Sequence, residues 1–348
     1  MCIWFDSLTP KQLLLCYKLS LKIKELGFKV YITSRSYDYI ESLISLYKMR
    51  NTYVIGRYGE TLEDKLLADI NRMSKLIDIV KKWKPKVLIS YPSPSGFRVA
   101  YGLSIPIVAI TDSPHSRILN KLTLPLASVV IVPKAIGRKS IDEFLSQDIN
   151  VLEYNGVDEV EFLKDFRPDP NVPKSLGLNV NETFFIVRPP EEKASYYKFE
   201  IQNYDEIIEY MLELGKIVYF PRYEYQKAHV IQKFKDKIII PREAVDVRSL
   251  SYYATAVVSG GSTMSREAAL LGTPSIYTFP LKLEVNEWLK NIGFPIYHAP
   301  TIDSTLKVIN RVLKEDRNSL KAKAIRKLKS IEGPMSTVLE SLKLINVL

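Results

Sequence analysis

Short apolar runs alternate with longer amphipathic stretches through the first half of the chain. Continuous apolar runs are typical of buried parallel strands, and they predict strands at residues 3–5, 29–33, 52–55, 87–89, 107–110 and 129–132. Apolar residues recur at helical spacing over residues 11–26, which are followed by Gly27, and over residues 60–83. Strands separated by helices in this way predict a doubly wound parallel sheet.

The same alternation begins again after a break in composition. Residues 163–181 contain Pro168, Pro170 and Pro173 together with several Asn and Asp, which predicts a linker. Further strands are predicted at residues 184–187, 216–220, 237–240, 256–258 and 275–278. We therefore expect α/β architecture with two Rossmann-like, doubly wound parallel-sheet domains that face a crevice, at residues 1–162 and 182–328. Residues 329–348 are predicted to form a C-terminal helix that packs back toward the N-terminal domain.

Composition narrows the expected class of protein. A chain of 348 residues, at roughly 150 per domain, is long enough for two domains with separate cores. Lys plus Arg number 49 against 39 for Asp plus Glu, a formal net charge of +10, which indicates anionic partners beside a general basic background. The basic residues are dispersed and no nucleic-acid motif occurs, so nucleic acid is not an expected partner. With two cysteines, no long apolar run and no export signal, we predict a cytoplasmic protein, with the inner membrane surface as a peripheral site.

The most informative segment is residues 256–274. A predicted buried strand leads into Gly260-Gly261, Ser262 and Thr263 offer N-cap side chains, and the helix that follows ends at Gly272. The glycines allow close approach of a ligand, and the first turn of a helix directs N–H groups and about half a positive charge at it. This arrangement predicts a phosphate or diphosphate site. Glu267 lies one turn further, where its carboxylate can accept hydrogen bonds from a ribose.

Three predicted strands of the second half are followed by arginines. In open parallel sheets, ligands bind outside the carboxyl ends of the strands, where the Gly260-Gly261 loop also lies. Guanidinium groups at this edge predict an anion site, with ordinary surface arginines as the alternative. The three residues are Arg188, Arg222 and Arg242.

The first half has its own candidate residues. The loop at residues 92–96 is predicted either to hold an oxyanion or to be an ordinary turn with helix N-caps. His115 follows Asp112 by three residues, so that the carboxylate can orient the imidazole as a general base, with a packing role as the alternative. Lys65, Asp69 and Arg72 share one side of a predicted helix, and we expect a solvated ion-pair face there.

Several motifs are absent from the chain. There is no G-x-G-x-x-G after the first strand, no P-loop and no zinc signature, which argues against a nicotinamide dehydrogenase, a P-loop NTPase and a zinc enzyme. A D-x-D pair, which holds a metal on a nucleotide diphosphate in other glycosyltransferases, is also missing. The prediction is that no metal and no further cofactor are required.

Residues 243–274 resemble the donor-site segment of GT-B glycosyltransferases. The similarity is to the N-acetylglucosaminyltransferase of peptidoglycan synthesis and to the UDP-N-acetylglucosamine 2-epimerases. It implies that the start of the helix, at Ser262, Thr263 and Met264, binds the diphosphate. It also implies that Glu267 binds the ribose and that the backbone near Val245 faces the uracil.

Nearly the whole chain is similar to domain-of-unknown-function family 354, a family of glycosyltransferase-like proteins of archaea and bacteria. The family usually has a histidine after a proline in the first loop, whereas this chain has Pro10-Lys11. The likeness therefore leaves His115 with Asp112 as the expected acid–base pair. The residues that carry it are 32–35, 93–95, 98–100, 122–125, 154–156, 166–169 and 261–264, with Lys65, Arg72, Asp112, His115, Arg188 and Arg222.

The leading prediction is a GT-B-like glycosyltransferase that uses a nucleoside-diphosphate sugar, most simply a UDP-sugar. No E-x7-E motif of the kind found in retaining GT-B enzymes follows directly on the glycine loop, which favours an inverting transfer. The acceptor is left open, with a phosphorylated lipid or a glycan at the membrane surface as candidates, and the oligomeric state is open too. The alternatives are a UDP-sugar 2-epimerase and a nucleotide-sugar-binding protein without catalysis, which Lys11 favours slightly.

Overall fold

The computed structural model describes residues 1–192, 199 and 203–348. Their contacts divide the chain into two compact units. The first unit contains residues 1–162 and 331–348, and the second contains residues 163–330. The chain thus leaves the first unit, forms the second, and returns to the first for its last residues.

A seven-stranded parallel sheet forms the centre of the first unit. Its strands are β1 (Cys2–Asp6), β2 (Lys29–Ser36), β3 (Thr52–Arg57), β4 (Leu88–Ser90), β5 (Ile107–Ile110), β6 (Val129–Pro133) and β7 (Asn150–Tyr154). Their order across the sheet is β3-β2-β1-β4-β5-β6-β7. Strands β1, β4, β5 and β6 are buried along their whole length, which explains their continuous apolar runs. The pattern missed β7, because most of its residues are exposed or half-buried.

The second unit contains a six-stranded parallel sheet. Its strands are β8 (Phe184–Arg188), β9 (Lys216–Tyr219), β10 (Ile238–Ile239), β11 (Ala256–Ser259), β12 (Ser275–Tyr277) and β13 (Ile296–His298). Their order is β10-β9-β8-β11-β12-β13. Strand β13 was not predicted, because it has three residues and only the first is fully buried. The prediction of two doubly wound parallel sheets is confirmed.

Helices connect the strands in both units. The helices are α1 (Pro10–Glu25), α2 (Ile40–Leu46), α3 (Leu62–Trp83), α4 (Pro94–Gly102), α5 (Arg117–Thr123), α6 (Val160–Leu163), α7 (Asn171–Ser175), α8 (Asp205–Leu214), α9 (Glu224–Phe234), α10 (Val247–Tyr253), α11 (Ser262–Leu270), α12 (Glu284–Asn291), α13 (Ile302–Val312), α14 (Arg317–Ser330) and α15 (Met335–Leu344). Side chains fix the start of the two long helices of the first unit, since Thr9 caps α1 and Thr61 caps α3. None of the helices in the described part of the chain has the length and apolar character needed to cross a bilayer.

Strand order determines which helices share a face of the first sheet. From β1 to β3 the chain moves toward one edge, and from β4 to β7 it moves toward the other. Because such crossovers are right-handed, α3, α4 and α5 lie on the face opposite α1 and α2. Contacts agree with this placement, as α1 touches α2, α3 touches α4, and α4 touches α5.

The segment predicted as a linker, residues 163–181, packs onto the second unit. Leu178 is buried in a core cluster with Phe184 and Leu250, and Val172 and Leu176 pack against it. This segment also contains α7. At the other end of the chain, α15 packs against β7 and β6 of the first unit.

Candidate functional site

The glycine loop of the second unit connects β11 to α11. Gly261 is the N-cap of α11, with φ −122° and ψ 159°, and as a glycine it has no side chain with which to cap the first turn. The expectation that Ser262 and Thr263 act as N-caps is wrong, because they are already the first two helical residues. Ser262 Oγ instead donates a hydrogen bond to Asn286 Oδ1 at 2.8 Å. The N-cap residue and Ser262 thus leave the N–H groups of the first turn without a side-chain cap of their own, which suits an anion site.

The two glycines of this loop are required for different reasons. A Cβ on Gly260 would lie 2.3 Å from the backbone nitrogen of Pro190, so Gly260 allows two backbone segments to pack together. The Gly260 N–H also donates to the Arg188 carbonyl at 2.8 Å. A Cβ on Gly261 would lie 3.2 Å from Arg222 Nη2. Only Gly261 therefore faces a group suited to a phosphate ligand.

Arg222 is held firmly beside the glycine loop. Its Nε donates to the Pro189 carbonyl at 2.9 Å, and its Nη1 lies 3.1 Å from Glu191 Oε2. Both side chains of this ion pair are largely buried, with 15% and 14% exposed. Tyr223 also donates its hydroxyl to Glu191. Glu191 was not predicted as a site residue, although it follows Arg188 and two prolines directly.

The other predicted ligand residues differ in their surroundings. Arg188 is buried at the end of β8, opposite Ser259 in the register of β11. Arg242 is exposed beyond β10, the edge strand, and Val245 is half-buried after it. The structure thus brings Arg188 and Arg222 to the glycine loop, whereas Arg242 follows the strand farthest from β11 on that side.

Within α11 the predicted residues face in different directions. Met264 is buried in the core cluster that includes Ala268 and Leu250, so only its backbone N–H can serve a ligand. Glu267 is half-buried one turn into the helix. A glutamate at this position can contact a ligand that lies beside the helix. The role of Glu267 as the ribose ligand stays a prediction.

In the first unit, three carboxylates surround Lys11, near the start of α1. Lys11 Nζ lies 2.5 Å from Asp112 Oδ2, 2.8 Å from Asp158 Oδ2 and 3.4 Å from Glu159 Oε1. The four side chains are each 9% exposed or less. The cluster joins α1 to the segments that follow β5 and β7. Asp158 and Glu159 were not predicted, because no motif connects them to a lysine so distant in sequence.

Two tyrosines complete the Lys11 cluster. The hydroxyl of Tyr154 donates to Asp158 Oδ1 at 2.7 Å, and the hydroxyl of Tyr91 donates to the other oxygen of Asp158. Burial raises the pKa of both tyrosines well above the usual value, and the charge of Asp158 adds to the effect. Both therefore remain protonated donors. Among the residues with described positions, no group of histidine, cysteine or carboxylate side chains is arranged to hold a metal ion.

The predicted catalytic pair lies next to this cluster. Asp112 follows β5, and besides Lys11 its carboxylate accepts a hydrogen bond from Ser113 Oγ at 2.9 Å. His115 is half-buried in the same loop. Sequence spacing placed both residues at the carboxyl edge of the sheet, but it did not reveal that Asp112 binds Lys11. Their catalytic role stays a prediction.

A second buried ion pair joins α3 to β1. Arg72 Nη2 lies 2.5 Å from Asp6 Oδ1, and Arg72 is only 2% exposed. The expectation of a solvated ion-pair face for Lys65, Asp69 and Arg72 is therefore wrong for Arg72. Asp69 is half-buried, and burial raises the pKa of its carboxyl group. Helical spacing shows which residues share a face, but not what that face packs against.

The loop at residues 92–96 forms hydrogen bonds with the buried Asp6–Arg72 ion pair. Ser93 Oγ donates to Asp6 Oδ2 at 2.7 Å and accepts from the Gly96 N–H as the N-cap of α4. Ser95 Oγ accepts from Arg72 Nη1 at 2.7 Å. A Cβ on Gly96 would lie 2.5 Å from Asp6 Oδ2. The hydroxyl groups are thus satisfied by internal charges, which supports the N-cap alternative over an oxyanion site.

Comparison with known proteins identifies the family. Residues 1–342 match the family described as "Protein of unknown function (DUF354)". The chain belongs to this family. A relative of this chain is an uncharacterised protein of Methanocaldococcus jannaschii, 32% identical over 289 residues, which cover 81% of this chain and 82% of that protein. The resemblance predicted from the sequence is confirmed.

Solved structures agree with the DUF354 chain in fold. A UDP-GlcNAc 2-epimerase of Methanocaldococcus jannaschii, in complex with UDP-GlcNAc and UDP, superposes with a TM-score of 0.72 at 16% identity, covering 94% of this chain and 99% of the epimerase. The spinosyn forosaminyltransferase SpnP gives a TM-score of 0.61 at 14% identity, covering 99% of each chain. At such low identity the likeness shows the fold, two Rossmann-like domains of the GT-B type.

Proposed function

We propose that this protein binds a UDP-sugar at the carboxyl edge of the second sheet and transfers the sugar to an acceptor. The observation that carries the proposal is the position of the Arg222 guanidinium beside Gly261, at the uncapped start of α11. A fixed cation and a helix N-terminus at one place suit a diphosphate better than any other common ligand. The epimerase and transferase of the same fold, whose names refer to UDP-sugars or sugar transfer, support this choice.

Each predicted residue has a role in this proposal. Arg188 and Arg222, with the N–H groups at residues 262–264, neutralise the diphosphate. Arg242 supplies further positive charge at the edge of the site, and the backbone at Val245 faces the base. Glu267 accepts hydrogen bonds from the ribose hydroxyls.

Transfer would need one proton acceptor in the first unit. The acceptor oxygen attacks the anomeric carbon, the bond from that carbon to the diphosphate breaks, and the acceptor proton passes to His115, which Asp112 orients. UDP leaves with its developing charge stabilised by the arginines. Because Glu267, the glutamate of the helix after the glycine loop, has no glutamate eight residues before or after it, and because the sequence has no D-x-D pair, we propose an inverting, metal-independent transfer. The reaction would occur in the cytoplasm.

One observation favours the second candidate, a UDP-sugar 2-epimerase. Such an enzyme needs acid and base groups around the sugar, and the first unit gathers Asp112, Asp158 and Glu159 around Lys11. Incubation with a panel of nucleotide-sugars separates the candidates. Free UDP together with a glycosylated acceptor indicates a transferase, and an interconverted sugar indicates an epimerase. Tight binding without turnover in the presence of candidate phosphorylated lipids and glycans supports the non-catalytic alternative.

Calorimetry tests the nucleotide site without knowledge of the acceptor. We expect Arg222→Ala to weaken UDP binding about tenfold or more, a loss of at least ~1.4 kcal/mol, while the binding of uridine barely changes. Arg311→Ala is the matched control, because Arg311 is an exposed arginine of the same unit in an ion pair with Glu315. Equal losses for UDP and uridine would assign Arg222 a structural role, and no UDP binding by the parent protein would exclude the nucleotide site.

A further inference from the structure

The most exposed large apolar side chains of the protein lie on three helices of the first unit. They range from 55% to 77% exposed. Apart from Met1, no other large apolar side chain among the described residues reaches this exposure. The residues are Leu62, Leu66 and Leu67 on α3, Tyr101 on α4, and Ile118 and Leu122 on α5.

These side chains share one side of the first unit. Helices α3, α4 and α5 cover the same face of the sheet and contact one another in sequence. On α3 the buried residues are Ala68, Arg72, Leu76 and Val80, so that Leu66 and Leu67 project away from the core. On α5, Asn120 and Thr123 are buried, while Ile118 and Leu122 lie one turn apart on the outer side. We call the outer side of these helices the α3–α5 surface.

Charge on the α3–α5 surface is unevenly distributed. Helices α4 and α5 carry Arg98, Arg117 and Lys121 and contain no acidic residue. Neither Arg98 nor Lys121, both exposed, forms an ion pair with a described residue, whereas Arg117 pairs with the exposed Glu143. The α3 part is mixed, because the exposed Glu63 accompanies its leucines. Apolar side chains with unneutralised basic groups beside them are the pattern of helices that lie in the headgroup region of anionic membranes.

We propose that the α3–α5 surface docks onto an anionic lipid bilayer. Its leucine, isoleucine and tyrosine side chains enter the headgroup region, and Arg98, Arg117 and Lys121 contact lipid phosphates. A second copy of the chain fits this surface less well, because a two-fold interface would bring the same basic residues together and each chain carries a formal net charge of +10. The inference does not rest on the nucleotide site.

Vesicle sedimentation with the full chain tests the proposal. The parent protein is expected to bind vesicles of phosphatidylglycerol and phosphatidylcholine in equal parts, to bind pure phosphatidylcholine weakly, and to lose binding as salt increases. The paired substitution Ile118→Asp and Leu122→Asp should lower the bound fraction at least tenfold. The paired substitution Arg98→Glu and Lys121→Glu should remove the preference for the anionic vesicles while leaving the apolar residues in place.

Ile231→Asp is the matched control, because Ile231 is half-exposed on α9 of the second unit. It should bind vesicles as the parent does. Unchanged melting temperatures for all variants show that the fold is intact. The proposal is overturned if the parent does not bind anionic vesicles, or if the two paired variants bind as strongly as the control. A dimeric parent that does not bind vesicles, and that becomes monomeric when Ile118 and Leu122 are substituted, also overturns the proposal. The α3–α5 surface is then a contact between two copies of the chain.

Discussion

The carboxyl edges of the two sheets carry charged residues in opposite arrangements. In the first unit the charged side chains pair with one another inside the fold, as Asp6 pairs with Arg72, and Lys11 lies among three carboxylates. In the second unit, Arg188 and Arg222 lie beside a glycine loop and an uncapped helix, with Glu191 as the carboxylate paired to Arg222. The same topology thus produces one edge whose charges are internally bound and another that offers positive charge.

If the protein transfers a sugar as proposed, this difference predicts that the two edges have different roles. A diphosphate carries negative charge that the arginines of the second edge can neutralise, in competition with Glu191 for Arg222. The first edge already contains more carboxylates than cations around Lys11, which suits proton transfer to or from a sugar or acceptor hydroxyl better than anion binding. Three predictions test whether this contrast is functional, from the largest expected effect to the smallest.

The largest effect concerns His115. If the first edge performs proton transfer, His115→Ala should lower turnover by roughly 10²–10⁴ and leave UDP affinity nearly unchanged. The measurement is the release of UDP from the donor that the nucleotide-sugar panel identifies. His229→Ala is the control, because His229 is a surface histidine of the second unit beside Asp205. Turnover at the parental rate would remove His115 from the mechanism, and a joint loss of fold and activity would assign it to packing.

The second prediction concerns stability of the first edge. Arg72→Met leaves the Asp6 carboxylate fully buried without its cation, and we expect a loss of about 3–5 kcal/mol in the free energy of unfolding. Arg311→Met, which breaks an exposed pair, should cost about 1 kcal/mol or less. Denaturant unfolding followed by tryptophan fluorescence checks both. Adding Asp6→Asn to Arg72→Met should restore part of the loss, and no difference between Arg72→Met and the exposed control would contradict a buried ion pair at this edge.

The sequence predicted the fold well because buried parallel strands are recognisable one at a time. Strands β5 and β11 are short but wholly buried, and their apolar runs were sufficient. Strand β7 alternates irregularly in burial, and α2 is short and lacks a side-chain cap, so neither has a strong local signal.

The candidate sites were harder to predict, because their pairings connect distant parts of the chain. The glycine loop was identified locally, since its glycines and helix are adjacent in sequence. Arg72 and Asp6 are 66 residues apart, and Lys11 and Asp158 are 147 apart. No periodicity shows that such residues meet. The burial of Arg72 and the carboxylates around Lys11 follow from the strand order, which brings the ends of β1, β4, β5 and β7 to one edge.

The smallest expected effect is a gain in UDP affinity, whereas substitutions at a binding site usually weaken binding. Glu191 pairs with Nη1 of Arg222, while Nη2 of the same guanidinium lies nearest Gly261, so a diphosphate at the glycine loop would share this guanidinium with the carboxylate. Glu191→Gln keeps the size of the side chain and removes its charge, so we expect UDP affinity to rise by about three- to tenfold, equivalent to ~0.7–1.4 kcal/mol, with uridine unaffected. Glu315→Gln, at the partly exposed pair with Arg311, should change neither affinity. Calorimetry at fixed ionic strength distinguishes the two ways in which Glu191 can act. A gain in affinity means that the carboxylate competes with phosphate for the guanidinium. A loss means that it orients Arg222 for the ligand, and the second edge then depends on an internal ion pair just as the first does.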